Sequence, residues 1–101
     1  MLVAVIRSFR HKGLRRLHLD DDASLLSPEL VPRVRARLSV LESAERLDDV
    51  NIPGLDLHKL RGKPLRYSVH VNGPWCITFE WNDGEALRVD FENYHERKSS
   101  R

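Results

Sequence analysis

The chain has one cysteine, Cys76, in 101 residues, so no internal disulfide can form, and no second thiol is present to complete a CxxC redox or zinc motif. A reducing, cytoplasmic setting is the expectation. No long apolar run is present either. Met1 to Ile6 is apolar but meets Arg7 at once and follows no basic stretch, which is too short for a membrane span and unlike a secretory leader. Net charge is small at +2, yet the pI is near 9.0 and five histidines can add charge, so an anionic partner is permitted without being required. At this length, with 41% hydrophobic content, one compact core fits and a second does not. A single domain over residues 1–95 and a polar tail over 96–101 are expected.

Val3, Val5 and Ile6 make Leu2 to Arg7 a short β-branched run, which predicts a buried strand. Phe9, Leu14 and Leu17 fall on one side of a segment running from Phe9 to Leu19, with Lys12, Arg15 and Arg16 elsewhere. That pattern predicts a short amphipathic helix, weakened by Gly13 and closed by Asp20-Asp21-Asp22. Ser27-Pro28 offers a cap and a first-turn proline for a second helix, whose apolar positions are Leu30, Val34, Leu38 and Leu41. Pro32 argues for a later start, the end falls near Ala44 to Leu47, and Arg33, Arg35 and Arg37 form a face expected to be solvated. Asp48 to Lys63 has no sustained period and reads as an extended connection.

The last third alternates strictly: Tyr67, Val69, Val71, then Trp75, Ile77, Phe79, Trp81, then Leu87, Val89, Phe91. Asn72-Gly73-Pro74 and Asn82-Asp83-Gly84-Glu85 supply turns, so three antiparallel strands are predicted. Matching the apolar faces sets Val71 opposite Trp75 and Trp81 opposite Leu87. The other face then carries three rows: Arg66, Glu80 and Arg88; Ser68, Thr78 and Asp90; His70, Cys76 and Glu92. The whole is an α+β domain of order βααβββ, with two helices on the apolar face of an antiparallel sheet and the ionisable face left open.

Four segments in order carry a resemblance. Ile6-Arg7-Ser8-Phe9-Arg10-His11-Lys12-Gly13-Leu14 resembles the opening of HigB-type toxins of the RelE superfamily. Leu57-His58-Lys59-Leu60-Arg61-Gly62 resembles their Leu-His-x-Leu-Lys-Gly segment, Trp75 to Trp81 their central strand, and Asp90-Phe91-Glu92-Asn93-Tyr94-His95 their Asp-Tyr-x-x-Tyr-His ending. The resemblance implies the RelE-like microbial RNase fold and ribosome-dependent cleavage of translated mRNA. It also implies neutralisation by a helix-turn-helix antitoxin of the HigA type, a heterotetramer being one possible form of that complex. No cofactor, metal or membrane is implied.

Metal-independent RNA cleavage needs a base for the ribose 2′-hydroxyl, an acid for the leaving 5′-oxygen, and cations for the phosphorane. The resemblance assigns catalysis to His95 and Tyr94, with Arg61 clamping phosphate where relatives have lysine. His58 either lines the same site or anchors its loop. Lys59, Lys63, Arg66 and Arg88 are candidates for RNA or phosphate contact. At one catalytic position the charge itself is missing: relatives commonly place arginine after the central tryptophan, where this chain has Cys76, and Pro74 likewise stands where many relatives carry a polar residue. Either Arg66 or Arg88 supplies that cation, or the protein is an attenuated nuclease or a non-catalytic binder of RNA or antitoxin. Arg66 and Arg88 can equally pair with Glu80 across strands. His70, Cys76 and Glu92 in one row suggest metal ligands, but the resemblance implies no metal site there and none is expected.

Overall fold

A computed structural model describes residues 6–93. Two α-helices, α1 (Lys12–Asp20) and α2 (Val31–Ser43), are followed by four strands: β1 (His58–Leu60), β2 (Arg66–Asn72), β3 (Trp75–Asn82) and β4 (Glu85–Asn93). The strands form one antiparallel sheet in the order β1-β2-β3-β4. Both helices lie on one face. Leu14 and Leu17 of α1 and Val34, Leu38 and Leu41 of α2 join Val69, Val71, Ile77, Phe79 and Val89 in a single buried cluster. Each large apolar side chain fully enclosed there stabilises the fold by roughly 1.5–3 kcal/mol. The α+β layering read from the sequence is thus the observed one.

Helix α1 begins later than the apolar spacing implied. The His11 Nδ1 accepts a hydrogen bond from the Leu14 backbone N–H at 3.2 Å and caps the helix, and Asp21, at φ 54°, ends it. Phe9, expected in the helix, instead bridges Val89, and Ile6 bridges Ala86, both in parallel. The N-terminal segment therefore runs along the edge of β4, where the Arg7 N–H donates to the Ala86 carbonyl at 2.7 Å and the Arg10 N–H to the Val89 carbonyl at 2.8 Å. The parts of the expected first strand before Ile6 lie outside the described residues.

Ser27-Pro28 starts a 3-10 turn, Pro28–Leu30, without a serine side-chain cap, and Pro32 sits in the first turn of α2, so the true helix starts at Val31. Arg33 and Arg35 are exposed, whereas Arg37 is half-buried and folds back onto the backbone. Its guanidinium donates to the carbonyls of His70 at 3.0 Å and Gly54 at 3.4 Å, and burial, with Arg33 nearby, lowers its pKa. The region read as a plain connection contains a second 3-10 turn, Leu47–Val50, and the strand β1, so the described sheet has four strands rather than the three predicted from the meander. A three-residue strand has no room for a legible alternation.

Two bulges correct the predicted register. In β2 the ladder passes from His70 opposite Cys76 to Asn72 opposite Trp75, so Val71 is the extra residue and does not face Trp75. In β4 it passes from Asp90 opposite Thr78 to Leu87 opposite Glu80, with Ala86 opposite Trp81. Arg88 takes φ 47° inside that bulge. Its backbone N–H donates to the Ser8 hydroxyl at 2.9 Å, and the Val89 N–H donates to the Ser8 carbonyl at 3.0 Å. The bulge thus answers the N-terminal segment rather than β3. It turns Ala86 into the core, fully buried, and moves Leu87 to the polar face, half-buried. The Ser68–Thr78–Asp90 and His70–Cys76–Glu92 rows lie on the near side of the bulge and stand as predicted.

Candidate active-site cleft

The sheet face away from the helices is not uniformly solvated. Leu60, Ser68, Cys76 and Thr78 are buried on it, and beside them opens a cleft of about 740 Å3 lined by Lys63, Arg66, Glu80, Arg88, Asp90 and Glu92, with Arg10, Pro64 and Asn93 at its margins. Alternation puts the β2, β3 and β4 side chains there. Arg10 arrives from the N-terminal segment, held by its own backbone N–H on the Val89 carbonyl at 2.8 Å.

Two ion pairs organise the floor. Glu92 Oε2 accepts from Arg66 Nη1 at 2.7 Å and from the Thr78 hydroxyl at 2.6 Å, across three strands. Both charged side chains are largely enclosed, at 19% and 13% exposure. Glu80 accepts from both ends of the Arg88 fork, at 2.6 and 2.7 Å. That bonding holds the Glu80 carboxyl below its ordinary pKa, aided by the fields of Arg88, Arg66 and Arg10 and opposed by burial, and it raises the pKa of Arg88. Arg88 does pair with Glu80, as one reading of the sequence had it, whereas Arg66 reaches past Glu80 to Glu92.

Of the residues nominated from sequence, Lys63, Arg66 and Arg88 come together in the cleft. His58 and Lys59 lie on the exposed part of β1 and Arg61 just beyond it, all three exposed and outside the cleft lining. His58 pairs in register with Ser68, hence sharing the cleft's face, roughly 14 Å from Asp90 at three strand spacings. Its Nδ1 lies 3.0 Å from the Asp56 carbonyl. Lys59 opposes Tyr67 and so faces the other side. Tyr94 and His95 lie outside the described residues. Cys76 sits beneath the cleft, its thiol 3.7 Å from the Glu92 carbonyl. Among the described residues no three His, Cys, Asp or Glu side chains group to hold a metal, and no helix is long and apolar enough to cross a membrane.

Arg10 was missed. Reading Phe9 to Leu19 as one helix sends Arg10 away from the sheet, and only its place in the N-terminal motif hinted otherwise.

A helix-backed antiparallel sheet with an ionisable cleft on its open face is the architecture of a RelE-like toxin. The family described as the RelE-like toxin of type II toxin-antitoxin system HigB matches residues 7–95, and the chain belongs to that family. It is 34% identical over 92 residues to a protein of Proteus vulgaris named Endoribonuclease HigB, spanning 90% of this chain and all of that one. It is 31% identical over 84 residues to Toxin HigB-1 of Vibrio cholerae serotype O1, spanning 80% of this chain and 88% of the relative. Membership implies a cognate antitoxin.

Proposed function

We propose that this chain is a ribosome-dependent endoribonuclease that cuts translated mRNA in the cytoplasm, blocks translation, and is silenced by a helix-turn-helix antitoxin of the HigA type in a complex that can be heterotetrameric. The observation that carries the reading is the cation-lined cleft on the open sheet face of a chain that matches, end to end, a relative named as an endoribonuclease.

The chemistry follows from what RNA offers. A base takes the proton of a ribose 2′-hydroxyl, the 2′-oxygen bonds to the adjacent phosphorus, the bond to the 5′-oxygen breaks, and an acid protonates that oxygen. The products are a 2′,3′-cyclic phosphate and a 5′-hydroxyl end. His95 and Tyr94 are the proposed acid-base and substrate-orienting pair, since histidine exchanges protons near neutral pH. Arg61 and His58 extend the site from the β1 side. Lys63, Arg66 and Arg88 carry positive charge in the cleft, and Lys59 is a peripheral RNA contact. No cofactor takes part.

The second reading, an attenuated or non-catalytic binder, is favoured by one feature: a thiol at position 76 in place of a cation, while Arg66 and Arg88 on the same sheet face are already engaged by Glu92 and Glu80. Mapping mRNA ends in a translating extract separates the two. The unaltered chain is expected to generate new 5′-hydroxyl ends that His95→Ala abolishes. Identical end maps for the two forms, with translation still inhibited, would establish the binder instead.

A further inference from the structure

The cleft contains four cations, and their bonding divides them in two. Arg66 is held by Glu92 and Arg88 by Glu80, the latter through both carboxylate oxygens. Arg10 and Lys63 line the same cleft and have no hydrogen bond or ion pair from their side chains among the described residues. Glu80 meets Arg88 with both oxygens, and Arg10 acts on it through its charge alone, which contributes to holding Glu80 ionised.

We infer that Arg10, together with Lys63, forms a backbone-phosphate subsite for single-stranded RNA at the margin of the cleft, while Arg66 and Arg88 shape its floor. This rests on the nuclease reading above. Its backbone is anchored to β4 by the Arg10 N–H on the Val89 carbonyl, so the guanidinium springs from a fixed point rather than a loose arm. A guanidinium without a carboxylate partner presents a planar fork of donors that suits two phosphate oxygens. Asp90, in the same cleft, uses one oxygen to accept its neighbour's Phe91 N–H at 2.8 Å and has no partner for the other among the described residues. An acceptor beside two unpaired cations suits a ribose hydroxyl next to a phosphate. An acidic protein segment brings carboxylates but no such hydroxyl, and is the less favoured occupant.

The test measures binding by the full chain, carrying His95→Ala to keep the probe intact, using a short single-stranded RNA and, separately, a polyaspartate peptide. Arg10→Gln is expected to weaken RNA binding about tenfold at low salt. It should also flatten the dependence of log affinity on log salt by about 0.7, while Arg10→Lys keeps most of the slope. Thermal melts of all forms check folding. Unchanged RNA affinity and slope in Arg10→Gln would overturn the subsite, as would failure of the parent to bind the RNA. Equal losses for RNA and polyaspartate would overturn it in favour of an acidic protein segment. Failure of the nuclease reading shows elsewhere, as absent mRNA cutting by the chain with His95 intact, and leaves the binding result readable.

Discussion

Arg88 grips Glu80 at two points, Nε on Oε2 and Nη2 on Oε1, from a left-handed backbone position inside a bulge that Ser8 completes. The pair joins the N-terminal segment, β3 and β4 at one place. Its pH dependence has a definite sign. The Glu80 carboxyl is depressed below the ordinary value of 4.5 chiefly by the Arg88 hydrogen bonds. Its stabilisation is therefore complete above the unfolded-state value and is lost as pH falls through the lower folded-state value. Glu80→Gln should melt below the unaltered chain at neutral pH, and the gap should close on acidification below the ordinary carboxylate range. Parallel melting curves across that range would count against the assignment.

Ser8→Ala removes the acceptor of the Arg88 backbone N–H and is expected to cost about 1 kcal/mol in urea unfolding. A larger effect is expected on the local opening of β4, read as faster amide exchange at Arg88 and Val89. Unaltered exchange at both amides would show that the hydroxyl does not hold the bulge.

Gly13→Ala is a test in which two rules predict opposite signs. Helix propensity alone favours alanine by up to about 1 kcal/mol. A β-carbon there, however, would sit 2.8 Å from the His11 Cε1 and 3.2 Å from a Leu26 methyl, so the capping imidazole must move away. The expected result is a net loss of about 1 kcal/mol, similar to that of His11→Ala. A gain in stability would mean the imidazole relocates without losing its bond.

Arg66→Ala should destabilise the fold by about 1–3 kcal/mol, because it strips the enclosed Glu92 carboxylate of its cation. Activity loss in this variant is thus ambiguous on its own. Pairing it with Glu92→Gln should recover much of the stability, measured by chemical denaturation, and any RNA-binding defect that remains belongs to the charge of Arg66.

Cys76→Arg tests the departure from the family pattern. Position 76 is buried and in register with Glu92, so an arginine there has to displace its neighbours to reach solvent. The expectation is lower stability by about 1–3 kcal/mol with more frequent mRNA cutting per molecule. Unchanged cutting would mean that the cations already in the cleft suffice.

The layering and the two rows nearest the hairpin were legible because alternation over long strands has only one way to bury its apolar set. What escaped was governed by partners distant in sequence. The bulge that sends Leu87 to the polar face exists because Ser8 sits alongside, and nothing local to residues 85–91 announces it. Strand β1 was too brief for a period, and its pairing with β2 comes from the fold. Arg10 followed the misplaced helix start at Phe9. The cleft was visible as a row of ionisable residues, but which carboxylate takes which arginine depended on register shifts of a single residue.

The bridges of Ile6 to Ala86 and Phe9 to Val89 also bear on how the protein is made. The edge segment is made some 80 residues before the strand that neighbours it, so closure of the sheet margin, and with it delivery of Arg10 to the cleft, cannot precede the synthesis of β4. Until that strand emerges, the nascent polypeptide has helices and a partial sheet but no finished cleft.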